Sequence, residues 1–206
     1  MRRNRVKIMV VGVILLLCTS PVIAELRFDD GGIHNIDYAI NDYVVVDFGL
    51  PGVKTTVNVL EGASLYWLEG YGDSIINVSG GWMDALISVD NSLPKIYGGS
   101  MSWLAAVGYS QITIFGCAVV DGLYVDENGI MTIHGSDFAV DGTPVGYTEL
   151  TGFLTGQLTG TLRSGDPINA YFETYNNGKI VLVPEPATLI LFTLGGFTML
   201  RKRRQI

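Results

Sequence analysis

Apolar and polar positions in the middle of the chain recur at a fixed interval. Glycines stand at Gly62, Gly80, Gly98, Gly116 and Gly135, in steps of 18, 18, 18 and 19 residues. Two places before each glycine is an aliphatic residue (Leu60, Val78, Ile96, Ile114, Ile133), and three places after it comes another apolar one (Leu65, Met83, Met101, Val119, Phe138). Leu68, Leu86 and Leu104 hold the sixth place after the glycine, and Tyr71, Val89, Val107 and Val125 the ninth. At the twelfth come Ser74, Ser92, Ser110 and Asn128, small polar residues of the kind that hydrogen-bond their own backbone in turns.

A unit of 18 residues is too short for a domain and too long for one strand. Stacked on its copies it closes a continuous core, which is the logic of a solenoid. Gln111-Ile112-Thr113-Ile114-Phe115 and Ile130-Met131-Thr132-Ile133 alternate at period two and are rich in β-branched residues, whereas a 3.6-residue period appears only at the two ends. The pattern predicts an all-β fold, a parallel β-solenoid of about five rungs over residues 56–147, roughly 24 Å tall at ~4.8 Å per strand. The 19-residue step before Gly135, with Gly122 and Asp141 interrupting the Leu68 column, marks the end of the stack. Residues 25–55, with the alternating Tyr43-Val44-Val45-Val46-Asp47-Phe48, and residues 148–183 are expected to be β caps that shield terminal strand edges. The competing architecture is a β-sandwich of hairpins, with turns at Asp121-Gly122 and Asp141-Gly142.

The ends have a different pattern. Residues 1–24 comprise the basic MRRNRVK, an apolar run from Ile8 to Leu17, and Val22-Ile23-Ala24. Together these form a secretory signal with cleavage by signal peptidase expected after Ala24. The run falls well short of the roughly 20 residues that span a bilayer. Cleavage removes Cys18, leaving Cys117 as the sole cysteine, so the body must fold without an internal disulfide. At residues 184–206, Pro184-Glu185-Pro186 precedes the apolar stretch Ala187 to Leu200 and the basic Arg201, Lys202, Arg203 and Arg204. That stretch suits transient insertion into the inner membrane with its basic tail held cytoplasmic.

Charge is segregated in the same way. Eight of the thirteen Lys and Arg residues lie in the two end clusters, and from Glu25 to Val183 five bases face nineteen acids, a net −14. A surface of that sign repels nucleic acid phosphates, so no nucleic acid partner is expected.

Candidate chemistry is sparse. His34 and His134 stand apart from any HExxH, GxSxG, GxxxxGK[ST] or CxxC motif, so no catalytic residue, metal or cofactor is expected and the protein reads as a non-enzyme. Cys117 takes the place that Gly81 and Gly99 hold in earlier rungs, a small residue filling a corner. The acids Asp90 and Asp126 fall in one column two rungs apart, about 10 Å, too far to share a calcium ion. Asp126-Glu127-Asn128-Gly129 lacks the remaining ligands of a calcium loop. The column just before each glycine (Glu61, Ser79, Tyr97, Phe115, His134) should face outward, which makes Tyr97 and Phe115 a stacked ladder suited to sugar rings. Trp67 and Trp103 share another column two rungs apart, where packing between strands explains them.

The C-terminal arrangement resembles the PEP-CTERM sorting signal of Gram-negative bacteria. The resemblance implies recognition and cleavage near Pro184, Glu185 and Pro186 by an exosortase, a membrane-embedded cysteine-type transpeptidase. The middle resembles repetitive, uncharacterised PEP-CTERM proteins of planctomycete-type bacteria, through Ser79-Gly80-Gly81 and Tyr97-Gly98-Gly99-Ser100-Met101. Two readings follow: a noncatalytic protein exported to the cell surface, outer envelope or extracellular matrix, or a carbohydrate-binding or carbohydrate-cleaving solenoid associated with exopolysaccharide.

Overall fold

The structure, a computed structural model, describes residues 25–185. The expected signal helix and C-terminal hydrophobic helix lie outside them. The described residues form strands and no helix. One ladder is parallel throughout: β1 (Glu25–Phe28), β3 (Ala39–Val46), β5 (Ser64–Gly70), β7 (Trp82–Ser88), β9 (Ser100–Ala106), β11 (Ala118–Val125) and β16 (Pro167–Thr174). A second parallel ladder joins β2 (Ile33–Ile36), β4 (Thr56–Val59), β6 (Ile75–Val78), β8 (Leu93–Ile96), β10 (Gln111–Ile114), the first half of β12 (Ile130–Val140) and β17 (Lys179–Pro184). Each rung gives one strand to each ladder, so the chain is a β-solenoid of about six turns and the sandwich is excluded.

The core is built from columns of side chains in register. Val44, Leu68, Leu86, Leu104, Leu123 and Phe172 stack in one ladder, all fully buried. Ile36, Val59, Val78, Ile96, Ile114, Ile133 and Leu182 do the same in the other. Inward residues three apart, such as Leu65 and Leu68, cannot both face inward from an unbroken pleat. Pairing accordingly runs Leu65 to Met83 and resumes at Trp67 to Ala85, with Tyr66 and Asp84 left between. The bend lets one seven-residue strand bury both leucines.

Several expected positions move. Val59, and not Leu60, lies under Val78, because the corner after β4 holds one more residue than those that follow. The serines are not the turn. Ser74, Ser92 and Ser110 are fully buried, and their carbonyls accept from the Leu93, Gln111 and Ile130 amides of the next rung. The turn itself precedes them, with positive φ at Gly72, Asp90, Gly108, Glu127 and Asn176 in successive rungs. Gly129, not Asn128, continues the serine column, since Ile130 is the residue bonded to Ser110.

The flanks also differ from caps. Residues 25–55 coil into the solenoid, but Val44 pairs with Leu68 at a step of 24 residues, because the corner after β3 is long, and this hides the period. At the other end the chain leaves the coil at Gly135. The second half of β12 forms a hairpin with β13 (Thr143–Pro144) at Asp141-Gly142, both with positive φ. After β14 (Glu149–Thr151), β15 (Leu154–Leu162) runs antiparallel to both β12 and β16. β16 then takes the place on β11 that the second half of β12 would have filled, and β14 lines the outer edge of β17. Phe138 is therefore not the next member of the Leu65 column; it is buried in this excursion. Asp121-Gly122 makes no hairpin. It lies inside β11, where Gly122 faces Trp103 and an added Cβ would collide with the indole.

Candidate functional site

Alternation along β8 buries Pro94 and Ile96 and turns Lys95 and then Tyr97 outward. The amides of Ser79, Tyr97 and Phe115 donate to Val59, Val78 and Ile96, so these three side chains hold the same place in successive rungs. Tyr97 and Phe115 stack with ring centroids 5.1 Å apart and planes 8° from parallel. His134 extends the stack at 4.7 Å and 18°. The ladder expected from the repeat is present.

The turn after β15 closes over it. The Arg163 amide donates to the His134 carbonyl at 2.8 Å, and the Ser164 amide donates to the Phe115 carbonyl at 3.0 Å. The backbone approaches so closely here that a Cβ on Gly116 would strike Ser164 and the Tyr97 carbonyl. Arg163 places its guanidinium carbon 5.6 Å from the Phe115 ring centroid. Tyr97, Phe115, Arg163 and Ser164 line a shallow depression of about 510 Å³. Burial, and after it the charge of Arg163, lowers the His134 pKa, and its buried Nδ1 has no hydrogen-bond partner among the described residues. Arg163 and Ser164 carry no sequence signal for this role, since their placement depends on a return of the chain from nearly fifty residues away.

The other aromatic column is packing. Tyr43, Trp67, Ala85, Trp103, Gly122 and Tyr171 pair in turn; Trp67 stacks on Tyr43 at 5.4 Å, and small residues at Ala85 and Gly122 flank Trp103.

Asp90 and Asp126 do not share a column. Asp126 is displaced by one place from the expected column, and Glu127 follows Gly108 instead. The Asp126 carboxylate accepts from Tyr124 at 2.9 Å, the Glu127 amide at 2.6 Å and Asn176 at 2.6 Å. Burial pushes its pKa up, but these bonds outweigh it and leave the group below the ordinary carboxylate value. It pins the corner to the last rung. Among the described residues no three His, Cys, Asp or Glu side chains gather as metal ligands. Cys117 is a buried corner residue whose thiol is pushed up to about 12, first by burial and then by Asp166.

Of the sorting residues, Pro184 ends β17 opposite Gly135, with Leu182 two places earlier in the core. Glu185 follows. Pro186, Arg201, Lys202, Arg203, Arg204 and Ala24 lie outside the described residues, although Glu25 already opens β1.

The fold and this chain end define a parallel β-solenoid whose last strand leads directly into a C-terminal address. The family model of the PEP-CTERM protein-sorting motif matches residues 182–204. The motif implies an exported protein, targeted to and processed by an exosortase and sorted to the cell envelope or surface. No curated protein and no solved structure matches the chain.

Proposed function

We propose that the chain is a noncatalytic solenoid displayed at the cell surface, outer envelope or extracellular matrix. Signal peptidase cuts after Ala24, the body passes the inner membrane, and Ala187 to Leu200 holds it there transiently with Arg201 to Arg204 on the cytoplasmic side. Exosortase then cuts near Pro184, Glu185 and Pro186. The observation that carries this reading is the match of the sorting motif to residues 182–204, which begins at the last buried residue of the coil. Fractionation of cells with and without an exosortase tests it: a shorter, surface-located product is expected only with the enzyme, and equal full-length protein in both would overturn it.

The stacked rings favour a second reading of the same displayed body, as a carbohydrate-binding face for exopolysaccharide at Tyr97 and Phe115. Replacing Tyr97 by Ala is then expected to weaken retention on matrix polysaccharide, and unchanged retention would count against it.

A further inference from the structure

Most ring surface in the ladder is already used. Phe115 lies between Tyr97 and His134, so it offers a ligand only its edge in the depression. Tyr97 is different. One face rests on Phe115, but the next place in the column on its other side is Ser79, which has no ring, and Tyr97 is 50% exposed. Tyr97 also lines the depression that it shares with Phe115, Arg163 and Ser164.

The charges around it are unusual for this molecule. Between Glu25 and Val183 the bases are Arg27, Lys54, Lys95, Arg163 and Lys179. Arg27 and Lys179 hold carboxylates at 2.8 and 3.0 Å. Lys95 and Arg163 form no ion pair among the described residues, and both stand at the ladder: Lys95 is exposed two places before Tyr97 on the same side of the chain, and Arg163 covers Phe115. The nearest carboxylate along the turn, Asp166, accepts from Ser164 Oγ at 2.7 Å. An unpaired guanidinium matches a carboxylate with two parallel N–H donors.

We propose that the depression at Tyr97 binds an acidic saccharide, a uronate-bearing chain that packs one pyranose against Tyr97 and sets its carboxylate against Arg163, with Lys95 as a flanking charge outside the lining. The proposal rests on the carbohydrate-binding reading and narrows it. The overall charge opposes a polyanion at long range, but at physiological salt the screening length is about 8 Å. Distant acids are damped, whereas contact with Arg163 is not.

Calorimetric titration of the exported, processed protein tests this, using oligogalacturonate and a neutral maltooligosaccharide of equal length. Oligogalacturonate is expected to bind about tenfold tighter or better, the range of a charge-assisted hydrogen bond. Arg163→Gln should remove most of that preference, Lys95→Gln part of it, and Tyr97→Ala should weaken both ligands. The unfolding midpoint of each variant checks that the fold is intact. Equal binding of both ligands, lost in Tyr97→Ala, would overturn the acid preference while leaving the carbohydrate reading standing. No binding of either would overturn both, and an unchanged preference in Arg163→Gln would overturn the site.

Discussion

Ile96 rests directly on Ile114: the two are paired in the parallel register of β8 and β10, and both are fully buried. Each therefore buries its side chain only because the neighbouring rung exists. Truncation leaves a cavity that strands above and below cannot close without leaving register. Ile96→Ala is expected to lower stability by about 2–5 kcal/mol, read as a shift in urea midpoint with little change in slope. An exposed outward change on the same strand, Lys95→Gln, should leave the midpoint nearly unchanged.

Gly122 is required by the indole opposite it. Gly122→Ala pushes a methyl into Trp103, and overpacking of this kind destabilises by about 1–3 kcal/mol. Trp103→Ala removes the obstacle, so the double variant should be less destabilised than the sum of the two single changes. A thermodynamic cycle measures that coupling, and strict additivity would show that the contact does not constrain the fold.

Cys117 should be silent in the folded protein. Its thiol is buried and raised to about 12, and the thiolate is the reactive species. A thiol reagent at pH 8 is expected to label it slowly under native conditions and rapidly in denaturant. Fast native labelling would mean that the corner at Gly116 opens.

His134 gives the fold a sign-specific response to acid. Its folded pKa lies below the ordinary value of 6.5, chiefly through burial. The unfolded chain thus takes up a proton first, and the stability present above about pH 6.5 falls as the pH drops toward the folded pKa. His134→Phe keeps the ring stack and removes the titration. Its unfolding midpoint should vary less than wild type over that interval, and identical profiles would contradict the assignment.

Processing by exosortase should be limited by the fold itself. Pro184 is still paired with Gly135, and Leu182 is in the core, so the motif emerges with no spacer. Inserting about five Gly and Ser residues between Val183 and Pro184, a flexible tether, is expected to speed conversion to the processed form in a pulse-chase. A slower or unchanged rate would show that the last strand is not the obstacle.

The amino-acid sequence alone determined the 18-residue rung, the inward columns around Ile96 and Leu86, the outward Tyr97 and Phe115, and the sorting motif at the C-terminal end. Those are local or nearest-rung properties. A repeat of apolar residues at fixed spacing admits one stacking that buries every copy, and a terminal apolar run beside basic residues needs no tertiary partner to be recognised. It missed the rungs in the flanks because the long corner after β3 stretches the step there, and it misplaced the serines because inward and turn positions differ by only one or two residues.

Only the tertiary structure decided which strand follows β11, how the chain returns from its excursion, and which side chain closes the ladder. β16 wins the place on β11, and β15 then joins it to the second half of β12, because an exposed β11 edge would leave its backbone donors and acceptors unpaired. That choice carries Arg163 and Ser164 to Phe115, where Gly116 leaves room for them. Contacts so distant along the chain depend on competition among strand edges across the whole fold, which no short stretch of residues encodes.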